Sequence, residues 1–574
     1  MAEPDSTAVR SSVRASAPSS PDESVSASAS AATTATASVP ADACLTTAPV
    51  ASIPAGASST TAPVEGPKPA STPPITAWLA GGRHSAVGGW QVLSRLADSL
   101  TRRVDGHRVV RPGPAWAYVA AIISWIVLWL RQVPCRYSDA SSNPDRFGWM
   151  CYSDITALYF TRGQSTGAVP YIGASWEYPV LTGYFAGIAN WLGRLFGAHT
   201  DPGVSGQQMV DNMNIYFAVT AVALFACLIW LIHSTLRIIP DHPLVAVFVA
   251  AAPAMWSSAL INWDLLAVAL AAAGLAAWQE QRFVRSGIWL GLGVAAKLYP
   301  IVIIGALIVL ALRPEALRDL KKLKQWATMA LAAAISWILV NLPVMVTQWD
   351  GWAMFYTFNS DRGADFGSFW YSLVLAGTGP AHPIMWSRVI MILCFLGLAV
   401  VIWIAPKSPS AIQIAYLAVA IMTACNLVYS PQYVLWLLPL IAVVRRKALD
   451  LSIFSLSELV YYVFIWLYLR GEDLSLGLSD APWLYIWSIW LRLIATAWVM
   501  ARVVRDILRG RVEPPPTEAS PARRAEPDAV AFLPQARHAQ PAHTVAAPSR
   551  SWEMTRPAST PASSEPDTGA TRDL

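Results

Sequence analysis

Charge is scarce in this chain: only 13% of its 574 residues are Asp, Glu, Lys or Arg, against roughly 25% in an ordinary soluble domain. Lysine is scarcer still, supplying seven of the 41 basic residues. The basic residues fall in short clusters between apolar runs and form no continuous stripe, so a nucleic-acid partner is not expected. Cysteine is also sparse, with six in all and no Cys-x-x-Cys or Cys/His spacing of the kind that holds a metal. Met1 is not followed by a basic segment leading into an apolar one, and no secretory leader is expected. Residues 1–112 and 510–574 are poor in large apolar side chains and rich in Ala, Ser, Thr and Pro. Such stretches cannot bury enough surface to offset the entropy of ordering, so both are expected to be disordered tails.

What remains, 113–509, is one apolar core. A spanning helix needs about 20 mostly apolar residues. Candidate spans lie at 115–131, 213–232, 243–260, 264–279, 287–297, 301–312, 326–346, 386–404, 411–427, 432–444, 451–469 and 483–501. The pair near 290 and 305 is short and parted by Tyr299 and Pro300; it reads either as two half-spans or as one helix broken at proline. The fold class expected is therefore an all-α polytopic membrane protein of about 12 spans. Arg102, Arg103, Arg108 and Arg111 precede the first span, and later basic clusters stand at Arg237, Arg282 and Arg285, Arg313 to Lys324, Lys407, Arg445 to Lys447, and Arg502 to Arg509. Under the positive-inside rule both termini are cytoplasmic and the alternate loops face outward; the excess of arginine over lysine hints at a bacterial source, so the membrane expected is a bacterial plasma membrane.

The non-basic polar residues collect on those outward loops. The longest, about 132–212, holds a run from Cys151 to Gly163 that reads as a short helix capped by Ser153, with Asp154 in its first turn. It also holds Arg162, Glu177 and Tyr178, and an amphipathic run from Trp176 to Gly197 suited to lying in the membrane interface. Cys135 and Cys151 both fall in this loop; facing an oxidising exterior they would pair, two free thiols being the alternative. Asn262 and Asp264, Lys297 and Tyr299, the loop 348–385 with Arg362 and Asp365, and the turn holding Gln432 and Tyr433 converge on the same side. Asp154 and Asp264 suit helix capping as well as chemistry. Lys297 lies within an apolar run, where a charge must reach an interface or a partner, and either headgroup snorkelling or phosphate binding satisfies that. Glu177, just before Pro179, has no such helix-end role.

The runs YSDITALYFTRG, VPYIGASWEYPVLTGYF, INWDLLAVAL, GLGVAAKLYP and SPQYVLWLLPL, in this order, resemble glycosyltransferase family 87. These are membrane enzymes of the GT-C type that include phosphatidylinositol-mannoside mannosyltransferases. The resemblance spans roughly 113–505 and neither tail. It implies transfer of a sugar, usually mannose, from a polyprenyl-phosphate donor to a lipid or glycan acceptor of the cell envelope, with inversion at the anomeric carbon. Asp154 matches the acidic residue such enzymes carry in the first external loop.

On that basis Asp154 is expected to be the general base, with Lys297 at the leaving phosphate, Tyr299 as a neutral donor, and Arg162 or Arg362 in support. Glu177, Tyr178, Asp264 and Gln432 are expected to line the substrate site. A single phosphate leaving group requires no metal, although the carboxylates at the rim would accommodate a divalent ion. The alternative from another class is a lipid or solute transporter. It would need internal repeats and an inward polar path, and the sequence displays neither.

Overall fold

The computed structural model describes residues 113–136, 144–199 and 204–512, together with the backbone of 101–104 and 107–110. Strands β1 (Thr101–Val104) and β2 (His107–Val110) pair antiparallel just before the first helix. The rest of the two expected tails lies outside the described residues.

Among the described residues six helices are long and apolar enough to cross a membrane: α1 (Pro114–Arg136), α4 (Gly206–Ile238), α11 (Leu320–Thr347), α14 (Pro383–Ile404), α17 (Ala448–Arg470) and α18 (Trp483–Leu508). Shorter apolar stretches fill the gaps, at 243–258, 264–279, 283–296, 300–311, 411–425 and 431–444. The first of these is two helices, α5 (Pro243–Ala251) and α6 (Pro253–Ser258), interrupted where Pro253 withdraws a backbone donor. The others are α7 (Asp264–Gln279), α8 (Phe283–Ala296), α9 (Pro300–Ala311), α15 (Ala411–Cys425) and α16 (Val434–Val444). Together these are the apolar segments expected from the sequence. The short pair resolves into two separate helices, with Lys297 between them in extended backbone (φ −156°, ψ 143°).

Short and long helices occupy different places. Every residue of α16 is buried, as are Asp264 to Ala277 of α7. A helix apolar all round has no face to give to a polar solvent, and it settles in the centre of the bundle. The long helices lie outside it; α14 leaves Ile392, Leu393, Leu396, Val400 and Trp403 exposed, as lipid contact requires.

Helix ends sort into two layers. Arg237 donates to Glu280, Arg313 to Ala405 O, and Gln413 to Arg511 O, so the basic loops gather at one end. At the other end the Asp154 amide donates to Ile261 O, the Asp365 amide to Leu427 O, and the Gly367 amide to the Tyr485 hydroxyl. The alternation of charge along the sequence thus becomes a separation in space between a basic end and a polar end.

The polar end carries the long first loop and its short helices, α2 (Asp154–Thr161) and α3 (Val180–Leu195). α3 buries Ala186, Ala189, Asn190 and Gly193 against the bundle and turns Ile188, Trp191 and Leu195, with Phe196 just beyond its end, outward. That distribution suits a helix packed on protein with its apolar face in lipid.

Cys135 and Cys151 are disulfide-bonded, with Cα atoms 5.9 Å apart. Cys135 is not in the loop as expected: α1 continues through it to Arg136, so the bridge ties the end of a spanning helix to a point three residues before Asp154. Closing a loop of this size is worth about 3 kcal/mol in the chain-entropy account. Replacing both cysteines by serine is therefore expected to lower the melting temperature of the purified protein, and reductant should give the wild type the same shift.

Candidate active site

Ser153 begins the construction. Its Oγ donates to Leu260 O at 2.7 Å and accepts from the Ile155 amide at 3.3 Å. It thereby caps α2 and fastens the helix to the turn before α7. The Asp154 amide donates to Ile261 O at 2.7 Å, leaving the side chain directed across the start of α7. Two residues along, Asn262 Oδ1 accepts from the Asp264 amide at 2.9 Å and sets the first turn of α7. Two carboxylates on separate helices, Asp154 and Asp264, are thus brought within electrostatic reach of each other.

They have different surroundings. Asp264, 2% exposed, receives Lys297 at 2.7 Å on one oxygen and the Trp436 indole at 3.0 Å on the other. Lys297 reaches it because the extended backbone between α8 and α9 turns the side chain back over α7. Its ammonium lies 4.6 Å from the centre of the Tyr178 ring and 5.9 Å from that of Tyr433. Tyr433 in turn stacks on Trp436 at 3.8 Å. Asp154 has no cation at salt-bridge distance among the described residues. It accepts from the Tyr178 hydroxyl at 3.0 Å and is also hydrogen-bonded by Tyr152. Burial pushes its carboxyl above the ordinary value, and these hydrogen bonds and Lys297 only partly oppose that. Burial and the nearby carboxylates hold the Tyr178 phenol well above its usual range, so it stays protonated and donates.

The other expected rim residues are paired. Arg162 grips Glu177 with two hydrogen bonds, at 2.6 and 3.0 Å. Arg362 pairs with Asp365, and both lie within electrostatic reach of Tyr433. Of the four carboxylates Asp154, Glu177, Asp264 and Asp365, only Asp154 lacks a cationic partner among the described residues. Lys297, expected from the sequence at the leaving phosphate, and Arg162 and Arg362, expected in support, each sit beside an acid.

Tyr299 departs from expectation. Helical backbone ahead of Pro300 turns it into the bundle, where its ring stacks on Trp436 at 4.5 Å and its hydroxyl donates to Ala267 O at 3.4 Å. It supports the floor of the site and offers no donor to its surface. Gln432 is 7% exposed and its Oε1 makes no hydrogen bond among the described residues, as is true of Asn262 Nδ2.

Sequence reasoning missed the clamp beneath the turn at 426–433. Arg492, fully buried, binds Glu458 at 2.7 Å, donates to Tyr429 O at 2.7 Å, and lies between the Tyr429 and Tyr461 rings at 3.5 and 3.8 Å. An arginine and a glutamate inside apolar runs were the available signal.

From Asp264 to the basic end α7 has 16 residues, α9 has 12 and α16 has 11. At 1.5 Å per residue these reach roughly 16–24 Å, short of a hydrocarbon core of about 30 Å. α4, with 33 residues, and α11, with 28, overtop them. α7, α9 and α16, which surround the site, are thus much shorter than the long helices beside them.

Residues 209–431 match the family model for Glycosyltransferase family 87, and the resemblance read from the sequence is borne out over that stretch. Among solved structures, ArnT from Cupriavidus metallidurans bound to undecaprenyl phosphate is similar at 14% identity, over 68% of this chain and 77% of that one, with a TM-score of 0.34. No curated protein matches the chain.

Proposed function

We propose that this protein is a membrane glycosyltransferase that moves a hexose from a polyprenyl-phosphate donor to a cell-envelope acceptor, in a bacterial plasma membrane whose outer face is the polar end. The observation that carries the reading is Asp154: the one carboxylate of the site with no cation of its own among the described residues, half-buried, hydrogen-bonded by Tyr178 and within electrostatic reach of Lys297. The family match over 209–431 supports the transferase class, and the family resemblance supplies the lipid-linked donor and mannose as the sugar.

In the reaction an acceptor hydroxyl attacks the anomeric carbon and gives its proton to Asp154. The bond from that carbon to the phosphate oxygen breaks with inversion, and the polyprenyl phosphate leaves carrying the electron pair. An ammonium has three donors. Lys297 spends one on Asp264 and turns the remainder toward the charge growing on the phosphate. Asp264 holds Lys297 in place, and Trp436 holds Asp264. No metal is needed for this step.

Purified protein incubated with radiolabelled polyprenyl-phosphate-mannose and membrane lipid acceptors is expected to transfer label into glycolipid. Movement of intact donor across sealed vesicles without sugar transfer would instead identify a transporter and overturn the reading.

A further inference from the structure

A groove at the basic end, far from the site above, has features of its own. Gly287 and Gly291 let α8 press against α11: a Cβ on either would come within 2.2 Å of a backbone oxygen, of Met329 or of Ala333. One turn nearer the basic end the residues are large, and a shallow groove open to solvent lies between Arg282, Arg285, Gln325 and Thr328.

Its charge is unbalanced. Arg282 and Arg285 line the groove with no carboxylate among the lining residues, and the nearest acid partner, Glu280, is shared by Arg282 with Arg237. Arg237 takes that carboxylate with two hydrogen bonds at 2.7 and 2.6 Å, and Arg282 reaches it only at 3.5 Å. Arg285 is exposed and has no ion pair among the described residues, and Gln325 makes no hydrogen bond among them. The groove also has a depth marker. Trp278 packs edge-on against Phe283 and Trp326, with centroids 5.2 and 5.4 Å apart, as aromatic side chains do at a membrane interface. Val284 and Ile288 run from the groove along the outside of α8 and are 50% and 37% exposed. Surplus positive charge thus opens onto an apolar strip, which matches a molecule that is anionic at one end and aliphatic at the other.

We propose that this groove binds the phosphate of an anionic phospholipid from the leaflet at the basic end, with Arg282 and Arg285 as its ligands and the acyl chains along Val284 and Ile288. Basic pockets between helices recognise lipid headgroups in this way, each arginine near the surface being worth about 1 kcal/mol, or about fivefold in affinity.

The test uses the full-length protein in detergent, titrated with phosphatidylglycerol or phosphatidylcholine and read by native mass spectrometry. Retention of phosphatidylglycerol over phosphatidylcholine is expected, falling about fivefold in Arg285→Gln and further in the Arg282→Gln, Arg285→Gln double variant. Arg318→Gln, an equally basic position outside the groove, should change it less than twofold. An equal loss in Arg318→Gln would reduce the effect to general surface charge and overturn the proposal. Displacement of the lipid by millimolar inorganic phosphate would make this a soluble-anion site and overturn the lipid assignment. Competition between the two phospholipids on wild-type protein needs no variant, and equal retention there would also overturn it.

Discussion

Asp154→Asn is expected to lower sugar transfer by roughly 10²–10⁴-fold, the usual contribution of a positioned general base, while the protein still inserts and melts as the wild type does. The substitution keeps the shape of the side chain and the Tyr178 contact, at 3.0 Å in the wild type, but the amide cannot take the acceptor's proton. Lost activity with unchanged folding would place the defect in chemistry; near wild-type transfer would remove Asp154 from that role. The pH profile supplies a second reading. Burial raises the Asp154 pKa, and only the ionised form is a base. The rate should therefore fall on acidification through a pKa above the ordinary aspartate value of about 3.9, and Tyr178→Phe, which removes a donor to the ionised form, should move that fall to higher pH.

Lys297→Met is expected to damage both stability and turnover. The Lys297 and Asp264 side chains are 14% and 1% exposed, and removing one partner of a buried pair strands the other charge at a cost of about 3–5 kcal/mol. A lower melting temperature is one half of the prediction. The other is weaker use of the phosphate donor, seen as a raised donor KM. The two separate in the Lys297→Met, Asp264→Asn double variant, where no charge is stranded: the melting temperature should recover much of its loss and the donor KM should not. Recovery of both would confine Lys297 to holding the fold together.

Much of the architecture was legible because a membrane protein writes its topology as composition. Apolar length gives the helices, and clustered arginine gives the ends at which loops gather, since neither depends on tertiary detail. Ser153 and Asp154 were legible as a helix start because capping is local. Partnership was not. Nothing in the run GLGVAAKLYP says that Lys297 folds back to Asp264, 33 residues earlier, or that Trp436 closes the pair from α16. Tyr299 misled for a related reason: it is two residues from Lys297, yet the backbone turn between them sends one side chain to the surface of the site and the other to its floor.

Helix α3 turns its greasy side away from the protein, with Ile188, Trp191, Leu195 and Phe196 facing outward. Lifting this loop into water would wet all four, at about 1.5–3 kcal/mol for each. The loop also carries Tyr178, which orients Asp154. The outward apolar face of α3 and the Cys135–Cys151 bridge thus restrain the same loop from two sides, the loop that places Tyr178 against Asp154.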